Sequence, residues 1–180
     1  QSSGTPHVAL GWGFFPWWEQ CVFPKIVKAY KFDVVICPYN TAPICGFKGS
    51  KLVLVVHDLI FLRSWEELPP SKAHYQTLGR IYRRQVFPRI IGKADRIITV
   101  SEFTKLDLIS RFGLRPDTIT VIPNSIPDYW MSERSLPLSN RGPYILSVAG
   151  EAPSKNVHRL IAAFARVVNH DNEGYKLVVA

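Results

Sequence analysis

The run Leu52-Val53-Leu54-Val55-Val56 does most to limit what this chain can fold into. Five consecutive apolar residues suit a buried strand, and the run ends on two titratable ones, His57-Asp58. Similar short runs recur: Phe32 to Cys37 ends at Pro38, Ile97 to Val100 ends at Ser101, and Thr118 to Ile122 ends at Pro123. Helical patterns lie between them. From Ser71 to about Ile91, apolar residues fall three and four apart, from Tyr75 through Leu78, Ile81 and Tyr82 to Ile91. That spacing predicts an amphipathic helix bent near Pro88. Trp18 to Tyr30 predicts another, kinked by Pro24. Ser101 offers an N-cap, with Glu102 in the first turn where the helix dipole favours acids, to a helix that should stop at Gly113. Strands alternating with helices predict an α/β fold, a parallel sheet covered on both faces.

The texture changes from Ile126, where IPDYWMSERSLPLSNRGP carries Pro127, Pro137 and Pro143 without a clear period. This reads as a connection. The pattern then restarts: Tyr144 to Val148 as a strand, AGEAPSK as a loop, a helical stripe of Val157, Leu160, Ile161, Phe164 and Val168, then a strand from Tyr175. One βαβ unit cannot close a core alone. The division predicted is 1–125 as a first domain, 126–142 as a connection and 143–180 as the start of a second.

With 47% hydrophobic and 20% charged residues in 180, the composition is that of a globular protein rather than a disordered or fibrous one. No apolar run approaches the roughly 18 residues of a membrane span. The chain opens QSSGTPH with neither a methionine nor a signal-like pattern, as a processed product or a fragment would. Cys21, Cys37 and Cys45 have no metal or disulfide spacing, which suggests free buried thiols and a cytoplasmic location. Of the net charge of +8, the segment from Lys72 to Arg96 holds seven basic residues against Asp95 alone. Such a segment could meet an anionic membrane surface, nucleic acid or a phosphorylated substrate, or be a solvated helix face. Aromatic and basic residues interleave around Tyr75, Tyr82, Arg83 and Arg84, yet no nucleic-acid motif is present and no nucleic-acid partner is expected.

In open parallel sheets, ligands bind outside the carboxyl ends of the strands, and His57 stands at such an end. An imidazole there can donate or accept a hydrogen bond, or carry charge near neutral pH. It can equally be a satisfied loop histidine. Ala149 to Asn156, AGEAPSKN, leaves a strand and enters a helix whose N-cap is predicted at Ser154. Free amides and the dipole make that terminus an anion site, and Lys155 adds a positive charge. Neither a P-loop nor a dinucleotide fingerprint is present. GWGFFPWWEQ, Gly11 to Gln20, could line an acceptor groove, enter a membrane interface or pack beneath a loop.

HDLIFL, ADRIITVSEFTKLDLISRFG, DTITVIPNSI and PYILSVAGEAPSKNVHRLIAAFARV follow one another in register. Together they resemble the group 1 retaining glycosyltransferases of the GT-B fold, from roughly Trp18 to Ala180. The resemblance implies two Rossmann-like domains, the first binding the acceptor and the second a nucleotide sugar. It also implies sugar transfer with retention at the anomeric carbon, with no cofactor and no metal. Polysaccharide biosynthesis at the inner face of the membrane would suit it, the acceptor being a glycan or lipid-linked, with Arg80, Arg83 and Arg84 meeting an anionic surface. By position, His57 matches the histidine that reaches the transferred sugar. Lys155 matches the lysine on the diphosphate, with Gly150, Ser154 and Asn156 as neighbours in donor binding. Asp58, Ser101, Glu102 and Asn124 match cleft positions. Gly150 and Ser154 depart from relatives that carry arginine at each. The paired glutamates of the second domain and the opening βα unit of the first are not found, as in an interior piece of a longer enzyme. The alternative is a truncated, non-catalytic GT-B module that binds a partner or an anionic membrane surface.

Overall fold

A computed structural model describes residues 13–128, 142–150, 152–170 and 174–180. The described residues fall into two compact units, one within Gln1–Leu62 and Leu78–Asn124, the other within Arg63–Thr77 and Ser125–Ala180. Within the predicted connection, 129–141 lie outside the described residues, as do Gly11, Trp12 and Glu151.

The first unit is built on four parallel strands: β1 (Val34–Cys37), β2 (Lys51–Val56), β3 (Arg96–Thr99) and β4 (Ile119–Val121). They lie side by side in chain order. β2 takes in its whole apolar run, while β1 and β4 are shorter than theirs and β3 is offset by one residue. The helices are α1 (Phe15–Trp17), α2 (Phe23–Tyr30), α3 (His74–Ile90, in this unit from Leu78 onward) and α4 (Glu102–Phe112). Alternate strand residues point into one core. Val35, Leu52, Leu54, Val56 and Ile97 meet Val27 of α2, Val86, Phe87 and Ile90 of α3, and Leu108 of α4. Phe87 is at the centre, its ring edge-on to Phe61 at 5.2 Å and to Phe112 at 5.5 Å.

Helices flank the sheet as expected, with α2, α3 and α4 packed on one face. On the other face, Val34 and Ile36 of the edge strand β1 are 53% and 60% exposed, while Val53, Val55 and Ile98 of the inner strands are half-buried.

Between α1 and α2 the chain takes a π-type turn, Trp18–Val22, in which the Phe23 amide reaches back five residues to the Trp18 carbonyl. Pro24, at the start of α2, has no amide to donate, and the widened turn takes the place of the predicted kink. Ser101 caps α4 as predicted, its side chain accepting from the Thr104 amide, and Gly113 ends it at φ 62°, a conformation that favours glycine.

In the second unit, β5 (Tyr144–Ser147) and β6 (Lys176–Val179) pair in parallel around α5 (Val157–His170). Ser154 is not the cap of this helix. Pro153–Lys155 forms a separate 3-10 turn, and Asn156 then adopts the left-handed conformation at φ 53°. The Asn156 carbonyl, accepting from the Arg159 and Leu160 amides, begins α5. Proline pre-sets the tight turn and asparagine tolerates its exit, so the helix starts two residues later than expected.

Candidate functional site at the carboxyl edge of the first sheet

His57 leaves β2 at the carboxyl edge of the sheet, half-buried, and three strand exits converge on it. Its amide donates to Asn40 Oδ1 at 2.9 Å, in the segment that follows β1. Its carbonyl accepts from Thr104 Oγ1 at 3.4 Å, in the first turn of α4. Its ring Nε2 lies 2.9 Å from the Pro38 carbonyl. A carbonyl can only accept, so Nε2 carries the hydrogen of this bond. Tyr39 lies beside it, the two rings tilted with centroids 6.4 Å apart. The histidine is thus held at backbone and ring at once, an orientation set before any ligand arrives.

Asn40 makes this possible. It is 8% exposed and left-handed at φ 57°. Its own amide donates to the Val55 carbonyl at 3.1 Å, and its Nδ2 to the Asp58 carbonyl at 3.4 Å. One side chain therefore ties the exit of β1 to that of β2. Asparagine suits the post because its side chain bonds locally and tolerates the left-handed region.

The segment 41–44 is in turn fixed from below by a buried polar network. Glu19, in the π-type turn, accepts from Thr41 Oγ1 at 2.6 Å and from Tyr82 Oη of α3 at 2.5 Å. Gln20 donates to Tyr82 Oη at 2.7 Å and to the Ala42 carbonyl at 3.2 Å, while its Oε1 accepts from the Ile44 amide at 2.8 Å. Burial first, then the Glu19 hydrogen bond, pushes the Tyr82 phenol well above the ordinary tyrosine range. Burial and the Glu19 charge push the Cys37 thiol up to about 12. A thiol that stays protonated is a packing group rather than a nucleophile. Cys45, by contrast with the expectation of buried thiols, is exposed.

The remaining predicted residues divide clearly. Asp58 Oδ1 accepts from the Ile60 amide at 2.9 Å, which orders the turn after His57. Ser101 serves as an N-cap, and Glu102 is exposed in the first turn of α4. Asn124 is exposed beyond β4. In the second unit, Gly150, Ser154, Lys155 and Asn156 are exposed in the loop after β5, where the Ala149 amide still bonds the Ala180 carbonyl at 3.0 Å. Arg80 was expected on an outward basic face, but it is only 7% exposed, with Nε donating to the Phe61 carbonyl at 3.2 Å. Arg84 Nη1 shares that carbonyl at 3.1 Å, and Arg83 lies 5.9 Å from the Phe61 ring centroid. These arginines clamp the loop after β2 and do not form one solvated stripe. Burial, then Arg84, lowers the Arg80 pKa from the ordinary arginine value.

An open parallel α/β unit of this kind is a Rossmann-like domain, and His57 stands at the carboxyl edge where ligands of such sheets gather. A family model described as Glycosyltransferase Family 4 matches residues 3–128. The chain belongs to that family, and its first unit is a glycosyltransferase-like domain. A comparison with curated proteins finds no match. No helix among the described residues is long and apolar enough to cross a membrane.

Proposed function

We propose that the protein transfers a sugar from a nucleotide-sugar donor to a glycan or lipid-linked acceptor with retention of anomeric configuration. Residues 1–125 serve as the acceptor-side domain and 143–180 begin the donor-binding one. The observation that carries this reading is the threefold fixing of His57 by Asn40, Thr104 and the Pro38 carbonyl. A ring held in one orientation is a preorganised polar group, which acts on developing charge without reorganisation at the moment of reaction. His57 then orients the transferred sugar. Lys155 and the free amides at the start of α5 take the leaving diphosphate, whose charge they stabilise. The nucleotide sugar is a substrate, and the chemistry asks for no further cofactor.

A second reading, a non-catalytic module, is favoured by Gly150 and Ser154, which are uncharged where the resemblance leads one to expect arginine. A thermal-shift panel of nucleotide sugars separates the two. Transfer requires that one of them raise the melting temperature and that Lys155→Ala remove the shift. It also requires that His57→Ala keep the shift while abolishing transfer. If no nucleotide sugar stabilises the protein, the transferase reading falls.

A further inference from the structure

Away from His57, where α2 meets residues 45–48, the first unit holds a cavity of about 200 Å³. Pro24, Val27 and Phe47 line it, and its walls are firm: Val27 is buried in the core and the Phe47 ring lies edge-on to Phe23 at 5.2 Å. Lys25, Lys28 and Lys48, all exposed, border the same hollow. Among the described residues no carboxylate pairs with any of the three.

Size and charge together select the occupant. A water's share of liquid volume is about 30 Å³, so the cavity has room for roughly seven waters, the bulk of one large apolar side chain. That is below the roughly 300–1,000 Å³ of pockets that enclose a drug-sized molecule. Three ammonium groups around an apolar floor attract carboxylates and repel cations. A buried anchor in a small pocket, surrounded by complementary charge, is how protein partners commonly concentrate binding energy. We infer that this cavity docks an acidic segment of a partner protein, which seats one aromatic or branched aliphatic side chain in the hollow and sets its carboxylates on Lys25, Lys28 and Lys48. The inference is independent of sugar transfer.

The probe is a fluorescent pentapeptide with phenylalanine between two pairs of glutamates, titrated against the full chain by anisotropy. Replacing its phenylalanine by alanine should weaken binding at least tenfold, and replacing its glutamates by lysines should abolish it. Binding should also be lost in the triple variant Lys25→Glu, Lys28→Glu, Lys48→Glu, whose sites are all exposed. It should be lost again in Cys45→Trp, which fills the mouth without changing charge. Equal binding of the alanine peptide, or binding that survives charge reversal, overturns the inference. So does a peptide that fails to bind while anionic phospholipid vesicles bind the parent and not the triple variant, since the occupant is then a lipid surface. Failure here leaves the nucleotide-sugar reading untouched, because nucleotide-sugar binding is read in a separate assay.

Discussion

Asn40 is the residue on which the geometry around His57 turns, and its replacements separate two contributions. Asn40→Ala removes Oδ1 from the His57 amide at 2.9 Å and Nδ2 from the Asp58 carbonyl at 3.4 Å. Leaving a part-buried amide without its acceptor costs about 1–3 kcal/mol, and the longer bond adds little. Alanine at φ 57° also lacks asparagine's tolerance of the left-handed region, for roughly another 1 kcal/mol. The expected loss is about 2–4 kcal/mol. Asn40→Gly relieves the backbone cost but not the lost acceptor, so it should be the milder of the two by about 1 kcal/mol. Asn40→Asp keeps an acceptor for the His57 amide and loses only the weak donor, so it should recover most of the stability. Urea titrations at unchanged m-value read these differences as midpoint shifts. An aspartate variant as unstable as the alanine one would refute the acceptor role assigned to Oδ1.

Four further predictions come from other parts of the fold. Tyr82→Phe strips the Glu19 carboxylate and Gln20 of a shared partner, so about 1–3 kcal/mol should be lost in the same titration. Tyr82 and Cys37 hold their protons more tightly folded than unfolded, so their contribution is intact below about pH 9. It should fade as pH rises above the unfolded values, and thermal melts of Tyr82→Phe should show a shallower alkaline loss than the parent. Asp95 is held below the ordinary carboxylate range, first by the Lys51 hydrogen bond and then by the Leu52 amide. Its contribution is present above the unfolded value of 3.8 and lost as pH falls through the lower folded one, so Asp95→Asn should flatten the acid limb. Finally, a Cβ at Gly150 would meet nothing within 4 Å, and the position is not left-handed. Gly150→Arg should therefore fold normally and tighten nucleotide-sugar binding roughly three- to tenfold by adding a charge-assisted contact. Unchanged affinity by calorimetry would count against donor binding at this loop.

The strands were legible because apolar runs of four to six residues bounded by proline or polar residues have few other uses. The place of His57 at the carboxyl edge followed from where the apolar run of β2 ends. Asn40 was not legible, although it stands next to a proline-bearing strand exit, because its partner lies 17 residues away. Glu19 and Tyr82 are 63 residues apart, and nothing local announces such a bond. An acid amid the aromatics of GFFPWWEQ was the available signal, since a buried carboxylate demands donors. Arg80 misled for the complementary reason: a basic residue on a helix reads as solvated until a carbonyl such as that of Phe61 is found beneath it.

The most direct test measures nucleoside diphosphate released per turnover by the parent and by His57→Ala, beside donor affinity by calorimetry. Turnover should fall at least about a hundredfold, with donor affinity within roughly threefold of the parent. Undiminished turnover in His57→Ala, at equal donor occupancy, would contradict that role for His57.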